Sequence, residues 1–127
     1  MKVLLDTHVA LWAVTGSARL SERATELILQ ADEVFVSAAS VWEIAIKHAL
    51  GRGDMPVSAA QARQAFGDGG YTLLPVQAAH AVRVAQLPPL HADPFDRLLV
   101  AQALDEPLTL LTHDRAVAAY SDAFVLV

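Results

Sequence analysis

The segment VLLDTHVALWAV, residues 3–14, indicates the fold class of this chain. Residues 3–5 are a short apolar run, which is typical of a strand buried on both faces of a parallel sheet. Asp6 and Thr7 end this run, and residues 8–14 then have the character of a helix. A buried strand followed at once by a helix is the repeating unit of α/β proteins, so the stretch predicts that fold class.

The alternation of strands and helices continues along the whole chain. Gly and Pro residues fall between the predicted elements, and no repeat or shift in composition divides the sequence. Further strands are predicted at residues 34–36, 71–74, 108–111 and 124–127. Further helices are predicted at residues 20–31, 38–50, 58–66, 77–86, 94–104 and 114–120. The pattern predicts one α/β domain over residues 1–127, a three-layer sandwich whose mostly parallel central sheet is flanked by helices.

Composition excludes several classes of protein. The 127 residues are 54% hydrophobic and include no cysteine, which argues against a disulfide-stapled secreted module. The net charge of −5 disfavours binding of nucleic acid by bulk positive charge, although a local basic rim is compatible with it. With no signal-peptide pattern and no apolar run near the roughly 18 residues that span a bilayer, we expect a cytoplasmic protein with no membrane partner. The mean hydropathy of +0.38 predicts that some apolar surface contacts another chain.

Two acidic residues closely follow predicted strands. Asp6 comes directly after the first strand, and Asp114 follows the fourth strand after Thr112 and His113. The carboxyl ends of parallel strands meet at one edge of the sheet, where ligand crevices lie, so both carboxylates are expected there. Each also fits the alternative role of a helix N-cap, whose side chain accepts a hydrogen bond from the first helical turn.

A third acid lies on the helix predicted at residues 38–50. This helix is apolar almost all round, and its polar stripe consists of Ser40, Glu43 and Lys47. So narrow a stripe predicts a buried helix that lines a wet cleft, and replacing Trp42 by alanine would cost about 3–5 kcal/mol if the indole is buried. The alternative is an exposed Glu43–Lys47 pair, worth about 0.3 kcal/mol.

A further acidic signal is HADPFDRLLVAQ, residues 91–102. Asp93 followed by Pro94 is the pattern of an N-cap and a first helical position, so we expect Asp93 to cap the helix. Asp96 is then the better candidate for a functional site. It lies in the first helical turn, where the helix dipole stabilises negative charge, so a purely structural role is the alternative.

Four carboxylates brought together would repel each other, and divalent cations relieve that repulsion. Oxygen ligands favour Mg²⁺ or Mn²⁺. Zinc fits less well, because there is no cysteine and the five histidines lack paired spacing. His91 and His113 stand near acids in the sequence, but loop histidines are more often solvated or hydrogen-bonded than metal-bound. The candidate site is the set Asp6, Glu43, Asp96 and Asp114.

Such a site suits hydrolysis of a phosphodiester. A divalent ion acidifies water and stabilises the attacking and leaving oxygens, so no side-chain nucleophile is required. Two roles fit Glu43: it orients or deprotonates the water, or it ligates a second ion. The hydroxyls of Thr7 and Thr112 suit a hydrogen bond to a carboxylate or to a substrate phosphate, and Arg97 is a candidate phosphate contact.

Four segments together resemble the ordered acidic motifs of PIN-domain proteins, in particular the VapC-type toxins of bacterial toxin–antitoxin pairs. They are LDTH at residues 5–8, SVWEI at 40–44, DPFDRLLVAQ at 93–102 and LLTHD at 110–114. The resemblance implies a PIN-like domain with Mg²⁺- or Mn²⁺-dependent endoribonuclease activity. It also implies that Asp6, Glu43, Asp96 and Asp114 form the acidic site, with the metal held by Asp6, Asp96 and Asp114. Asp93 is an extra acid beside this set.

Partners follow from the same resemblance. VapC-type toxins are usually dimeric and are held inactive by a small VapB-type antitoxin. The resemblance therefore implies an RNA substrate, a VapB-like antitoxin and a homodimer, with residues 11–14 and 20–31 as docking surfaces. Core packing is the alternative for those residues. Two other functions stand beside this one: a metal-dependent nuclease outside any toxin system, acting on RNA or DNA, and a binding module whose acids are structural.

Overall fold

The computed structural model describes all 127 residues as five strands and seven helices. The strands are β1 (Lys2–Leu5), β2 (Glu33–Ser37), β3 (Thr72–Leu74), β4 (Thr109–Thr112) and β5 (Val125–Leu126). The helices are α1 (Thr7–Thr15), α2 (Glu22–Gln30), α3 (Ala38–Ala49), α4 (Ala59–Asp68), α5 (Ala78–Val84), α6 (Pro94–Asp105) and α7 (Arg115–Ala118). Every predicted element is present, with bounds that differ by at most two residues. None of the helices has the length and apolar character of a membrane span.

β1 lies at the centre of the sheet, whose strand order is β3-β2-β1-β4-β5 and whose neighbours are all parallel. Its side chains alternate between the two faces, because Val3 and Leu5 belong to one core and Leu4 to the other. Residues from α1–α4 pack with the first core, and residues from α5–α7 pack with the second. The predicted three-layer sandwich is therefore confirmed.

The connections of the sheet run in opposite directions from its centre. The chain passes from β1 to β2 and β3 on one side, and then returns to β4 and β5 on the other. The direction reverses between β1 and β4, and open α/β sheets form their ligand crevice at such a switch point, beyond the carboxyl ends of the strands. Asp6 and Asp114 follow these two strands.

Helix α3 is not buried in the way predicted. Glu43 and Ser40 are only 3% and 1% exposed, whereas Trp42 is 59% exposed. The polar stripe faces inward because the crevice lies beside it, so apolar residues of the opposite face, including Ile46, lie on the surface. Trp42 packs edge to face on Phe95, with 5.0 Å between the ring centroids. The condition for a loss of about 3–5 kcal/mol on Trp42→Ala, a buried indole, is therefore not met.

The docking segments expected from the sequence are divided between core and surface. Leu11 is buried in the core beneath α1. On α2, Leu27 and Ile28 pack against the same core, but Leu29 is 80% exposed. Core packing, the alternative for these residues, therefore accounts for most of them.

Candidate active site

Asp6 directly follows β1 and lies at the crevice. Its backbone N–H donates to the carbonyl of Leu111 at 3.0 Å, which continues the pairing of β1 with β4. Its Oδ1 accepts from the Val9 N–H at 2.9 Å and caps α1, while Oδ2 accepts from the Thr112 hydroxyl at 2.6 Å. One oxygen therefore caps the helix and the other lies at the switch point, so the two roles considered for Asp6 coexist.

Asp114 divides its oxygens in the same way. Its Oδ1 accepts from the N–H groups of Ala116 and Val117, at 2.8 and 3.3 Å, and caps α7. Its Oδ2 lies 3.1 Å from Nε2 of His91. Burial acts to raise the pKa of Asp114, but the hydrogen bonds from His91 and the two backbone N–H groups outweigh it and hold the pKa below its usual value. Asp114 is thus an anion at neutral pH.

Asp93 and Asp96 have different tasks at the start of α6. Oδ1 of Asp93 accepts from the N–H groups of Phe95 and Asp96, at 2.8 and 3.1 Å, with Pro94 in the first helical turn. The expected cap is therefore confirmed. Asp96 caps nothing, and its Oδ2 lies 3.1 Å from Nε2 of His91. Its carboxylate is available to the crevice.

Glu43 reaches the crevice from α3. Its Oε1 accepts from the Thr7 hydroxyl at 2.6 Å, and that hydroxyl lies 2.9 Å from Oγ of Ser40. Its Oε2 is paired with Nζ of Lys47, one helical turn further on. The Glu43–Lys47 pair considered as an exposed alternative does exist, but it lies inside the crevice, where the Glu43 side chain is 4% exposed.

These side chains line one cavity of about 220 Å³ that has no hydrophobic residue in its wall. The wall consists of Asp6, Thr7, His8, Glu43, Lys47, His91, Asp93, Asp96, His113 and Asp114. Five carboxylates thus share the space with one lysine. Burial, together with the charges of Asp93, Glu43 and Asp6, raises the pKa of Asp96 to about 7. Burial and nearby negative charge both disfavour an ionised Asp96, and perturbed pKa values of this kind cluster at functional sites.

Similarity to known proteins identifies the family, because the model of the PIN domain matches residues 3–123. The chain belongs to the PIN domain family. A curated relative, ribonuclease VapC22 of Mycobacterium tuberculosis, is 32% identical over 118 residues, which cover 93% of this chain and 91% of the relative. The resemblance in sequence to PIN-domain proteins is therefore confirmed.

Solved structures share the fold of this PIN domain. VapBC2 from Rickettsia felis, bound to a DNA fragment from its promoter, matches with a TM-score of 0.69 and 14% identity, over 100% of this chain and 98% of that one. FitAcB from Neisseria gonorrhoeae matches with a TM-score of 0.65 and 22% identity, over 100% of this chain and 97% of that one. At these identities the likeness shows the fold alone.

His91 lines the cavity of this PIN domain, although its sequence position favoured a solvated or hydrogen-bonded histidine over a metal ligand. Its Nδ1 lies 3.0 Å from the backbone nitrogen of Asp93, and its Nε2 faces Oδ2 of both Asp96 and Asp114. His91, Asp96 and Asp114 each place a ligand atom within 4.8 Å of the others, an arrangement able to hold a metal ion. The predicted metal set has Asp6 in place of His91. Only the position of His91 two residues before a helix cap could have pointed to it.

His113 and His8 complete the wall of the cavity. Nδ1 of His113 lies 3.4 Å from Oδ2 of Asp6, and this hydrogen bond raises the pKa of His113 against the opposing effect of burial. Nε2 of His8 lies 3.0 Å from Oδ2 of Asp54, in the connection between α3 and α4. Both imidazoles are therefore held by carboxylates.

The two threonines predicted to contact substrate have partners within the protein. Besides donating to Asp6, the Thr112 hydroxyl accepts from the Asp114 N–H at 3.0 Å. The Thr7 hydroxyl is engaged with Glu43. In this structure both hydroxyls position carboxylates, which is one of the two roles considered for them.

Arg97, predicted to contact a phosphate, does not line the cavity. Its guanidinium donates to the carbonyls of Val84 and Pro88, each at 3.1 Å, and to the Tyr120 hydroxyl at 3.0 Å. One residue along a helix is a turn of about 100°, so Arg97 points away from the crevice that Asp96 faces. Arg97 ties α6 to the preceding connection, and we do not carry it forward as a substrate contact.

Proposed function

We propose that this PIN domain is a metal-dependent endoribonuclease that hydrolyses RNA phosphodiester bonds. The observation that carries the proposal is the convergence of Asp6, Glu43, Asp96 and Asp114, from four separate segments, on one polar cavity. Burial of Asp96, together with the charges of Asp93, Glu43 and Asp6, raises its pKa and opposes folding of the ionised form, and such local conflict is typical of functional sites. The 32% identical relative is named a ribonuclease, which supports RNA as the substrate.

The donor set fits a hard divalent cation. The cavity offers carboxylate oxygens and imidazole nitrogens, and the chain has no cysteine sulfur. Such a set suits Mg²⁺ or Mn²⁺ better than zinc. We infer that Asp6, Asp96 and Asp114 hold the ion, with His91 beside the last two. When bound, the ion supplies Lewis-acid chemistry, which polarises a phosphate oxygen and makes water more acidic.

The side chains of the cavity have separate tasks in hydrolysis. The oxygen of a water forms a bond to phosphorus, the bond from phosphorus to the leaving ribose oxygen breaks, and the leaving oxygen takes a proton from solvent. Glu43 accepts the proton of the attacking water, since each carboxylate oxygen keeps acceptor capacity beyond its bonds to Thr7 and Lys47. Thr7 orients Glu43, and Thr112 orients Asp6.

Cleavage of a defined RNA tests the activity. Purified protein is incubated with end-labelled single-stranded RNA in Mg²⁺ or Mn²⁺, with and without EDTA. We expect cleavage that EDTA abolishes and that Asp96→Asn lowers by more than about 100-fold, because even residues that only support metal ligands cost 10- to 100-fold. Asp122→Asn, an exposed carboxylate before β5, is the matched control. Equal cleavage by wild type and Asp96→Asn, or cleavage that survives EDTA, contradicts the proposal.

We further propose that the domain is the toxin of a toxin–antitoxin pair, inhibited by a VapB-like antitoxin, homodimeric, and active in the cytoplasm where its RNA substrate is found. The names of the relatives support this, since the similar structures include VapBC2 and a toxin–antitoxin complex from Klebsiella pneumoniae. The exposed apolar side chains of Trp42, Ile46 and Leu50 are surface of the kind that partner chains cover.

Expression in a bacterial host tests the toxin proposal. We expect wild-type protein to arrest growth and Asp96→Asn to be tolerated. Co-expression of a short reading frame encoded beside the gene should relieve the arrest and yield a complex that co-purifies. Light scattering of the purified protein should give twice the mass of the chain. Normal growth at a high level of soluble, RNA-cleaving protein would favour a nuclease outside any toxin system.

A further inference from the structure

Three aromatic rings stand side by side at the edge of the acidic cavity. The ring centroids of Trp12 and His113 are 4.9 Å apart, those of His8 and His113 are 5.3 Å apart, and those of His8 and Trp12 are 6.0 Å apart. His8 and His113 line the acidic cavity, and His113 is hydrogen-bonded to Asp6. Trp12 is therefore only two contacts away from a carboxylate of the proposed catalytic set.

A second cavity, of about 280 Å³, has Trp12 in its wall, and we name it the tryptophan pocket. Its wall consists of Leu11, Trp12, Thr15, Ser17, Arg19, Gly53, Asp54 and Pro56. Asp54 is the residue that holds His8, so the His8–Asp54 bond and Trp12 separate the two cavities. A chain lying across this partition reaches both spaces.

The lining of the tryptophan pocket suits a nucleotide. Trp12 is a half-buried aromatic ring, and aromatic side chains provide the surface on which bases of single-stranded nucleic acid stack. Thr15 and Ser17 keep hydrogen-bonding capacity for the edge of a base beyond their bonds to the Leu11 carbonyl and the Arg19 N–H. Arg19 is exposed and has no carboxylate within ion-pair distance, so its guanidinium is available to a phosphate.

An apolar anchor from a protein partner fits this pocket less well. Protein interfaces place their anchoring side chains in desolvated, well-packed pockets. Only two of the eight lining residues, Leu11 and Trp12, are hydrophobic. Interfaces with nucleic acid are instead polar, which matches a wall that contains two hydroxyls, the guanidinium of Arg19 and the carboxylate of Asp54.

We propose that the tryptophan pocket binds the nucleotide adjacent to the scissile phosphate, with its base stacked on Trp12 and its phosphate facing Arg19. The inference rests on the proposed ribonuclease function and deepens it, because it specifies single-stranded RNA as the substrate. A base inside a duplex is stacked between its neighbours and cannot also stack on a side chain. Trp12 and Arg19 are thus residues that determine which phosphodiester enters the acidic cavity.

An abasic scan tests the stacking contact. An RNA with one cleavage site is prepared with an abasic nucleotide at each position in turn, and kcat/KM is measured for wild type and for Trp12→Leu. We expect one position beside the scissile bond at which base removal costs wild type about 10-fold, as loss of a stacked base does. The same removal should cost Trp12→Leu nothing further. Val82→Ala, which shortens an exposed apolar side chain on α5, should keep the wild-type pattern. Equal abasic penalties in wild type and Trp12→Leu at every position would overturn the proposal.

A second measurement leaves Trp12 in place, because this residue also packs against the core. The chain has two tryptophans, so Trp42→Phe makes Trp12 the sole indole fluorophore. Adding Asp96→Asn suppresses cleavage, and RNA binding is then followed by anisotropy of a labelled RNA and by Trp12 emission. We expect quenching in step with binding, and binding without quenching for the RNA that is abasic at the sensitive position. Binding of intact RNA with unchanged Trp12 emission would contradict the proposal.

The outcomes separate this inference from the function on which it rests. If wild-type protein cleaves no RNA with any metal, both the ribonuclease proposal and the tryptophan-pocket proposal are contradicted. If cleavage depends on metal but Trp12→Leu changes the abasic penalty at no position of the RNA, only the tryptophan-pocket proposal is contradicted. The ribonuclease proposal then stands. A Trp12→Leu variant that loses antitoxin binding but keeps the wild-type abasic pattern would assign the pocket to the antitoxin, and this too overturns the proposal.

Discussion

The hydroxyl of Thr112 donates a 2.6 Å hydrogen bond to Oδ2 of Asp6, although 106 residues separate them in the chain. Both residues are buried at the ends of the neighbouring parallel strands β4 and β1. The order in which the chain adds strands to the sheet reverses between these two strands. The backbone N–H of His113 donates to the same oxygen at 3.3 Å. The orientation of the Asp6 carboxylate is thus set by the strand beside its own, and the acidic cavity depends on correct pairing of β1 with β4.

Thr112→Val tests whether this bond matters for activity. Valine keeps the branched shape of threonine but donates no hydrogen bond, so Asp6 loses one of the groups that orient it. We expect kcat/KM for RNA cleavage to fall by about 10- to 100-fold, as is usual when a supporting partner of a metal ligand is removed. Thr112→Ser restores the hydroxyl and should recover most of the activity. Full activity of a folded Thr112→Val variant would contradict a positioning role.

Asp96→Asn is expected to stabilise the metal-free protein while it abolishes activity. In the folded state the pKa of Asp96 is about 7, against 3.8 for the unperturbed group, so the folded protein retains a proton that the unfolded chain releases between these values. Stability therefore falls as the pH rises from about 4 to about 7, and the full penalty persists above that range. Asparagine carries no titrating proton and escapes this loss.

Thermal melting in EDTA measures the effect. We expect Asp96→Asn to melt at least about 2 °C above wild type at pH 7.5, with the difference shrinking towards zero near pH 4. Asp122→Asn should follow the wild-type curve across this range. A difference between Asp96→Asn and wild type that is constant with pH would exclude titration of Asp96 as its cause.

Metal binding should respond to pH in the opposite direction. A cation held by Asp96 must displace the proton of that carboxyl, so binding is weaker below its pKa of about 7. We expect MnCl₂ to raise the melting temperature of wild type more at pH 8 than at pH 6, by an increment set by ln(1 + [L]/Kd). Asp96→Asn should show little increase at either pH. The same increase for wild type at both pH values would argue against Asp96 as a ligand.

The helices, the strands and the positions of the acidic residues could be predicted because each depends on a short segment of sequence. Residues 3–5 have the apolar pattern typical of a buried strand, and an acid directly after such a strand lies at the carboxyl edge of the sheet. Choosing between a cap and a site for Asp6 was unnecessary, because a carboxylate has two oxygens and each takes one role. The same holds for Asp114.

The remaining features depend on distances that no local pattern contains. A narrow polar stripe on α3 looks the same in sequence whether it faces solvent or a polar crevice, so the outward position of Trp42 was not predictable. His91 lies between Asp96 and Asp114 only because α6 and α7 begin at the same sheet edge. Arg97 stands beside Asp96 in sequence, yet one step along a helix turns its side chain towards Tyr120.

Two aromatic truncations test the assigned burial of α3 and α4. Phe66 on α4 is 0% exposed in the core that covers one face of the sheet, so Phe66→Ala should lower the free energy of unfolding by about 3–5 kcal/mol. Trp42 is 59% exposed and has one aromatic neighbour, Phe95, so Trp42→Ala should cost only about 1 kcal/mol. Urea denaturation measures both, at two protein concentrations because dissociation of a dimer would add a concentration dependence. Equal losses from the two substitutions in the dilute protein would contradict the exposure of Trp42 on the outward face of α3.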